Sequence, residues 1–188
     1  MKKNFFIIIF FIFGLTQNSF AYSSDPKQFI TEIVDEAKKI LIETNTKEFK
    51  TTKLSEIALK TVDIKGVGYY SLGSYRKQLT DEQLKKYLIL FEKYFLKSFT
   101  SRLADYSDPK IDVLSTEVIN SKYTIVKSLL LATDKKPEVK IEWRVYTKNP
   151  DKPLIRDLII EGLSLARTQK EEFASVIESN NGDINKLF

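Results

Sequence analysis

The stretch YTIVKSLLLATDKKPEVKIEWRVY, residues 123–146, decides the fold. Tyr123 to Leu131 is one long strand-forming run. Val139, Ile141, Trp143 and Val145 then alternate with Lys140, Glu142, Arg144 and Tyr146, the two-residue period of a half-buried strand. The link between them, with Asp134 to Pro137 at its centre, is too short for a helical crossover and suits a hairpin, so the two strands run antiparallel. Tyr123, Ile125, Leu129 and Leu131 lie on one face of the long strand, with Val126 and Leu130 on the other. Both faces are substantially apolar. Either helices cover both sides, or one side borders an internal apolar pocket.

Outward from this pair the pattern extends as strands on both sides. Ile111 to Ser115 reads as a short strand and Leu154 to Glu161 as the last one, joined through Asn120-Ser121 and Asn149 to Pro153. Upstream the period is helical. Asp25 caps a helix with Pro26 in its first turn, and Phe29, Ile30, Ile33, Val34, Ala37, Ile40 and Leu41 form one apolar stripe. A weaker helix covers Phe49 to Lys60. Gly66 and Gly68 suggest a bend leading into a short helix that ends near Gly73. Thr80-Asp81-Glu82-Gln83 is a capping box opening the longest helix, to about Asp105. Along it Tyr87, Phe91, Phe95, Phe99 and Leu103 recur every four residues and form a slanting ridge, either packed on the sheet or lining a cavity. Thr168 with Glu171 marks a final helix to about Ser179. The expected fold is α+β: a single domain with a twisted antiparallel sheet of about four strands and helices wrapped around it.

Residues 1–21 have the form of an export signal. Lys2 and Lys3 precede an apolar run from Phe5 to Leu15 broken only by Gly14, and Ser19-Phe20-Ala21 fits a cleavage site after Ala21. The run is shorter than the roughly 20 residues that span a bilayer. Residues 22–188 then form the mature domain. Loss of Lys2 and Lys3 lowers the net charge from +5 to +3, and the lysines interleave with glutamates, so no basic face for nucleic acid is expected. The chain has no cysteine and no histidine. That excludes disulfides, a thiol-linked lipid anchor, and zinc sites built on either residue.

The remaining chemistry is thin. Gly162-Leu163-Ser164-Leu165-Ala166 occupies the place of a nucleophile elbow but lacks its second glycine, and no histidine could activate Ser164, so a turn hydroxyl is the better reading. Asp157 and Glu161, four apart along a strand, stand roughly 13 Å apart, too far for a glycosidase pair. Gly66-x-Gly68 alone is not a phosphate loop. No catalytic residue, metal or cofactor is assigned, and an enzyme is not expected.

Several segments together resemble one family. Arg156-Asp157-Leu158-Ile159-Ile160-Glu161-Gly162-Leu163-Ser164-Leu165 with Phe173 is similar to the aspartate, "V-E-G-V-S-L" and helical Phe of the MlaC family of periplasmic phospholipid-binding proteins, the toluene-tolerance type. Leu72-Gly73 with Thr80 to Gln83, the row Tyr87, Phe91, Phe95 and Phe99, and Asp25-Pro26-x-x-Phe29-Ile30 agree in order and spacing. Arg76, Gln169-Lys170 and Val62-Asp63 depart from the family pattern. The resemblance implies a deep apolar pocket and a periplasmic carrier of glycerophospholipid cargo. It also implies work with an inner-membrane Mla-type ABC transporter complex and an outer-membrane lipoprotein complex, maintaining outer-membrane lipid asymmetry. The expected pocket walls are Phe91, Phe95, Ile125, Leu129, Trp143, Val145, Leu158 and Ile160, with Tyr69, Tyr70 and Leu72 at the rim. A tail of about 15 carbons, at about 0.8 kcal/mol per methylene, is worth about 12 kcal/mol gross, so apolar wall area alone can hold such a cargo. The alternatives are a hopanoid-like cargo or a non-catalytic protein-interaction module of the same fold.

Overall fold

The computed structural model describes residues 22–134 and 136–187; the expected signal segment and its cleavage site lie outside them. Among the described residues five α-helices and five strands, with two short 3-10 turns, form one α+β domain. Helix α1, Pro26–Ile42, starts where the Asp25 carboxylate accepts from Gln28 N at 2.8 Å. Its stripe of Phe29, Ile30, Ile33, Val34 and Leu41 is buried. Helix α2, Lys47–Thr61, follows with Leu54, Ile57 and Ala58 inward.

Helix α3, Ile64–Leu72, runs straight through Gly66 and Gly68 rather than bending at them. The glycines serve close approach instead. A Cβ on Gly66 would stand 2.4 Å from the Asp63 carboxylate that caps the helix, and one on Gly68 would stand 2.9 Å from the Phe91 ring. Helix α4, Asp81–Leu103, opens with both hydrogen bonds of the expected capping box, Gln83 N to Thr80 Oγ1 and Thr80 N to Gln83 Oε1.

Strands β1 (Ile111–Asn120), β2 (Tyr123–Leu130), β3 (Val139–Tyr146), β4 (Leu154–Ile160) and β5 (Leu163–Ser164) form an antiparallel meander in sequence order. The four long strands are those expected, but β1 continues five residues past Ser115, and β5 is a two-residue addition. Helix α5, Leu165–Ser179, begins a turn before the expected cap. Ser164 is the N-cap, accepting from Arg167 N, and the Thr168 hydroxyl instead donates back to Ser164 O within the helix.

Register assigns the faces of the sheet. Val126 pairs with Trp143 and Trp143 with Leu158, so these three share one face; Ile125 pairs with Arg144 and Leu129 with Lys140 on the other. On the first face Val126, Trp143, Val145 and Ile155 pack with α1 and α2 into one buried cluster. A second cluster, Ile64, Val67, Leu72, Tyr87, Phe91 and Ala166, joins α3, α4 and α5.

Candidate functional site: an apolar cavity between α4 and the sheet

The two clusters do not fuse, and a cavity of about 450 Å³ lies at their seam. That is the size of a small-molecule site. One wall is α4, where Phe91, Phe95 and Phe99 stack in a ladder with centroid spacings of 6.2 and 5.5 Å. The four-residue spacing explains the ladder: each ring stands one turn above the last on the inward side. Facing it are Ile141, Trp143, Leu158 and Ile160 of the sheet. Trp143 turns an apolar face inward because its Nε1 is satisfied by Ser128 Oγ at 2.8 Å. Helices α1 and α2 close the inner end with Val34, Leu41, Leu54 and Ile57, and α5 adds Leu165 and Ala166. Between α5 and α4, Tyr94 donates to Gln169 Oε1 at 2.9 Å, while the Phe173 ring meets Tyr87, Phe91 and Tyr94 edge-on or tilted.

Of the expected wall and rim residues, Phe91, Phe95, Trp143, Leu158 and Ile160 line this cavity. The other six stand elsewhere. Ile125 faces the opposite side of the sheet, where it lines a second, more polar cleft of about 660 Å³ together with Tyr70, Tyr123, Arg144 and Arg156. Leu129 shares that face by register with Lys140, half-buried and away from the cavity. Val145 is fully buried in the first cluster. Leu72 is core of the second cluster at 1% exposure, and Tyr69 lies under Lys65 at 5.7 Å. The walls supplied by α1 and α2 were absent from the expected set. Their signal was the amphipathic stripe itself, which reads equally as core.

The second cleft is a structural clamp. The register shift between β3 and β4 sends Arg156 and Asp157 to the same face. The Arg156 guanidinium donates to Asp63 at 2.7 and 2.6 Å and to the Tyr123 hydroxyl at 2.9 Å, and stacks 3.7 Å over the Tyr146 ring. Burial opposes its charge, but the hydrogen bonds it donates to Tyr123 and Asp63 prevail and raise its pKa. Asp157 accepts from Ser164 Oγ at 2.6 Å and Ala166 N at 3.0 Å. Adjacent residues of β4 thus pin α3 and α5, both of which contribute to the cavity wall. Ser164 spends its hydroxyl on this cap. Glu161 lies past the end of β4 and accepts from Lys140 N, so it and Asp157 do not face a common site. Among the described residues no cluster of three metal-ligating side chains occurs, and no helix is long and apolar enough to cross a membrane.

An antiparallel meander backed by helices thus encloses a cavity of aromatic and aliphatic walls, a chamber suited to an apolar ligand. The chain belongs to the MlaC protein family, whose profile matches residues 27–188. Its fold is similar to that of a phospholipid-binding protein from Ralstonia solanacearum solved in complex with a phospholipid: TM-score 0.71 at 21% identity, over 88% of this chain and 92% of that one.

Proposed function

We propose that this protein is a periplasmic carrier that buries the acyl chains of a glycerophospholipid in the cavity between α4 and the sheet and moves lipid between the inner and outer membranes. The observation that carries the reading is the cavity itself: about 450 Å³ walled by phenylalanine, leucine, isoleucine and tryptophan. Family membership and a fold shared with a protein holding phospholipid support it. Each methylene buried is worth about 0.8 kcal/mol, so tails are held without any reactive group. The same energy makes unaided release slow. Delivery therefore takes place on a partner: an Mla-type ABC transporter complex at the inner membrane and a lipoprotein complex at the outer one. This traffic would maintain outer-membrane lipid asymmetry.

The test is extraction and mass spectrometry of whatever co-purifies from the periplasm. Diacyl phospholipid is the expected result; a hopanoid, or a consistently empty cavity, overturns the reading. Phe95→Glu, which sets a charge among the ring ladder, should abolish lipid recovery, whereas Leu129→Glu on the opposite face should leave it intact.

A further inference from the structure

Trp143 is the single tryptophan of the chain, and it lies on the sheet wall of the cavity. Its indole has an apolar body and one donor, the ring N–H, with no acceptor. At 9% exposure it has little water to fall back on, so the direction of that N–H decides what the ring offers a cargo. The N–H is given to Ser128 Oγ at 2.8 Å. Ser128 lies on β2 and does not line the cavity; among the described residues β2 reaches it only at Leu130. Register sets Ser128 opposite Ile141 and Val126 opposite Trp143, so the serine is the diagonal neighbour of the indole on the same face. Its own hydroxyl donates to Ile141 O at 3.2 Å. The two bonds carry the polarity of the indole into the β2–β3 pair. Ser128 is 3% exposed on the inward face of its strand, and a hydroxyl so buried is tolerated where its bonds are made. On the same wall Arg156 and Asp157 are bound into the clamp. With its N–H turned to Ser128, the Trp143 ring offers the cargo hydrocarbon alone.

We propose that Ser128 is a specificity-determining positioning residue. By holding the indole N–H it presents the apolar part of Trp143 to the cargo, and so favours unbroken acyl chains over chains with a hydroxyl along their length. A hydroxyl that enters the cavity leaves water and finds no partner on the ring. Without the Ser128 oxygen the buried N–H is itself unpaired, and it gains by turning to such a hydroxyl. The inference rests on the lipid-carrier reading and adds to it a choice among acyl chains.

The test offers lipid-stripped protein equal amounts of phosphatidylglycerol with oleoyl chains and with ricinoleoyl chains, which differ by one hydroxyl, in mixed vesicles. The bound ratio is measured after re-isolation. Wild type should take the plain lipid about tenfold in excess, equivalent to about 1.4 kcal/mol, and Ser128→Ala should lower the excess to about twofold. Ser128→Thr, which keeps the hydroxyl, should restore it. On a Trp143→Phe background, which has no indole N–H, Ser128→Ala should leave the ratio unchanged. The polar side chains of the helical walls are common to all these variants, so the differences report the sheet wall. Wild-type protein gives a reading that needs no variant to fold: its single indole N–H resonance should exchange slowly with solvent and stand at the same position with either lipid bound. A resonance that differs between the two lipids, equal uptake of them by wild type, or a ratio that Ser128→Ala leaves unchanged overturns the role of Ser128 alone. Uptake of neither lipid removes the carrier reading itself.

Discussion

Asp157 is 6% exposed and holds two elements together through one carboxylate, capping α5 through Ser164 and Ala166 while sitting on β4. Its ion-pair contact is weaker, with Arg144 at 3.6 Å and that arginine 42% exposed. Asp157→Asn should therefore cost about 2 kcal/mol, since an amide nitrogen faces a donor in at least one position. Arg144→Gln should cost less than about 0.5 kcal/mol. Urea denaturation of the two variants checks the order, and equal losses would contradict it. Tyr87 makes a second residue-scale case. Burial holds its phenol well above the usual tyrosine range, and the hydroxyl donates to Gly68 O at 3.1 Å. A folded-state pKa raised above the unfolded value favours the protonated form in the folded protein. This stability is fully present below about pH 10 and is lost as pH rises through the folded value. Tyr22, half-buried and bonded to Glu36, is shifted in the same direction. Denaturation midpoints should fall above about pH 10, and Tyr87→Phe should flatten that fall while costing about 1 kcal/mol at neutral pH. An unchanged alkaline slope in the variant would count against it.

At the scale of elements, α3 packs on α4, and Gly68 lies where the two helices meet, under Phe91 and Leu88. A methyl group there would lie 2.9 Å from Phe91 Cδ1 and 3.2 Å from Leu88 Cδ2. Gly68→Ala should therefore destabilise by about 1–3 kcal/mol despite the better helix propensity of alanine. Because Phe91 is also cavity wall, the variant should bind less lipid; a more stable Gly68→Ala protein would show that the crossing has slack. The two glycines had suggested a bend, because permissive backbone and close packing look alike in a sequence. The elements themselves were legible wherever pattern and caps agreed: the Thr80 box, the Asp25 cap, and the alternation of Val139 to Tyr146. Faces were less so. Tyr123 to Leu131 is apolar on both sides, so only pairing could place Ile125 with Arg144 and Val126 with Trp143. Ile125 and Leu129 had been grouped with Trp143 for that reason. The start of α5 was misplaced because Thr168-x-x-Glu171 resembles a cap as well as Ser164 does; Asp157, remote in sequence, decides between them.

For the molecule as a whole, the cavity exists because two cores remain separate. α1 and α2 share one core with the sheet and α3, α4 and α5 share another; α2 packs on α4 and Val62 touches both cores, and the cavity opens beside that contact. Filling the gap with more side chains would stabilise the fold and leave no room for a ligand, so the stability is expected to come in part from the cargo. A ligand that binds only the folded state, present at about one hundred times its dissociation constant, adds about 2.7 kcal/mol. For a domain of this size each kcal/mol moves the melting temperature by about 2–4 °C. Lipid-loaded protein should therefore melt about 5–11 °C above protein stripped of lipid. Phe95→Glu, whose charge would lie against the acyl chains, should show a much smaller difference between the two preparations. Calorimetry on matched loaded and stripped samples measures this directly. Identical melting temperatures for wild type would mean that the gap between the cores is closed without cargo. The Phe91, Phe95 and Phe99 ladder would then be core in the ordinary sense.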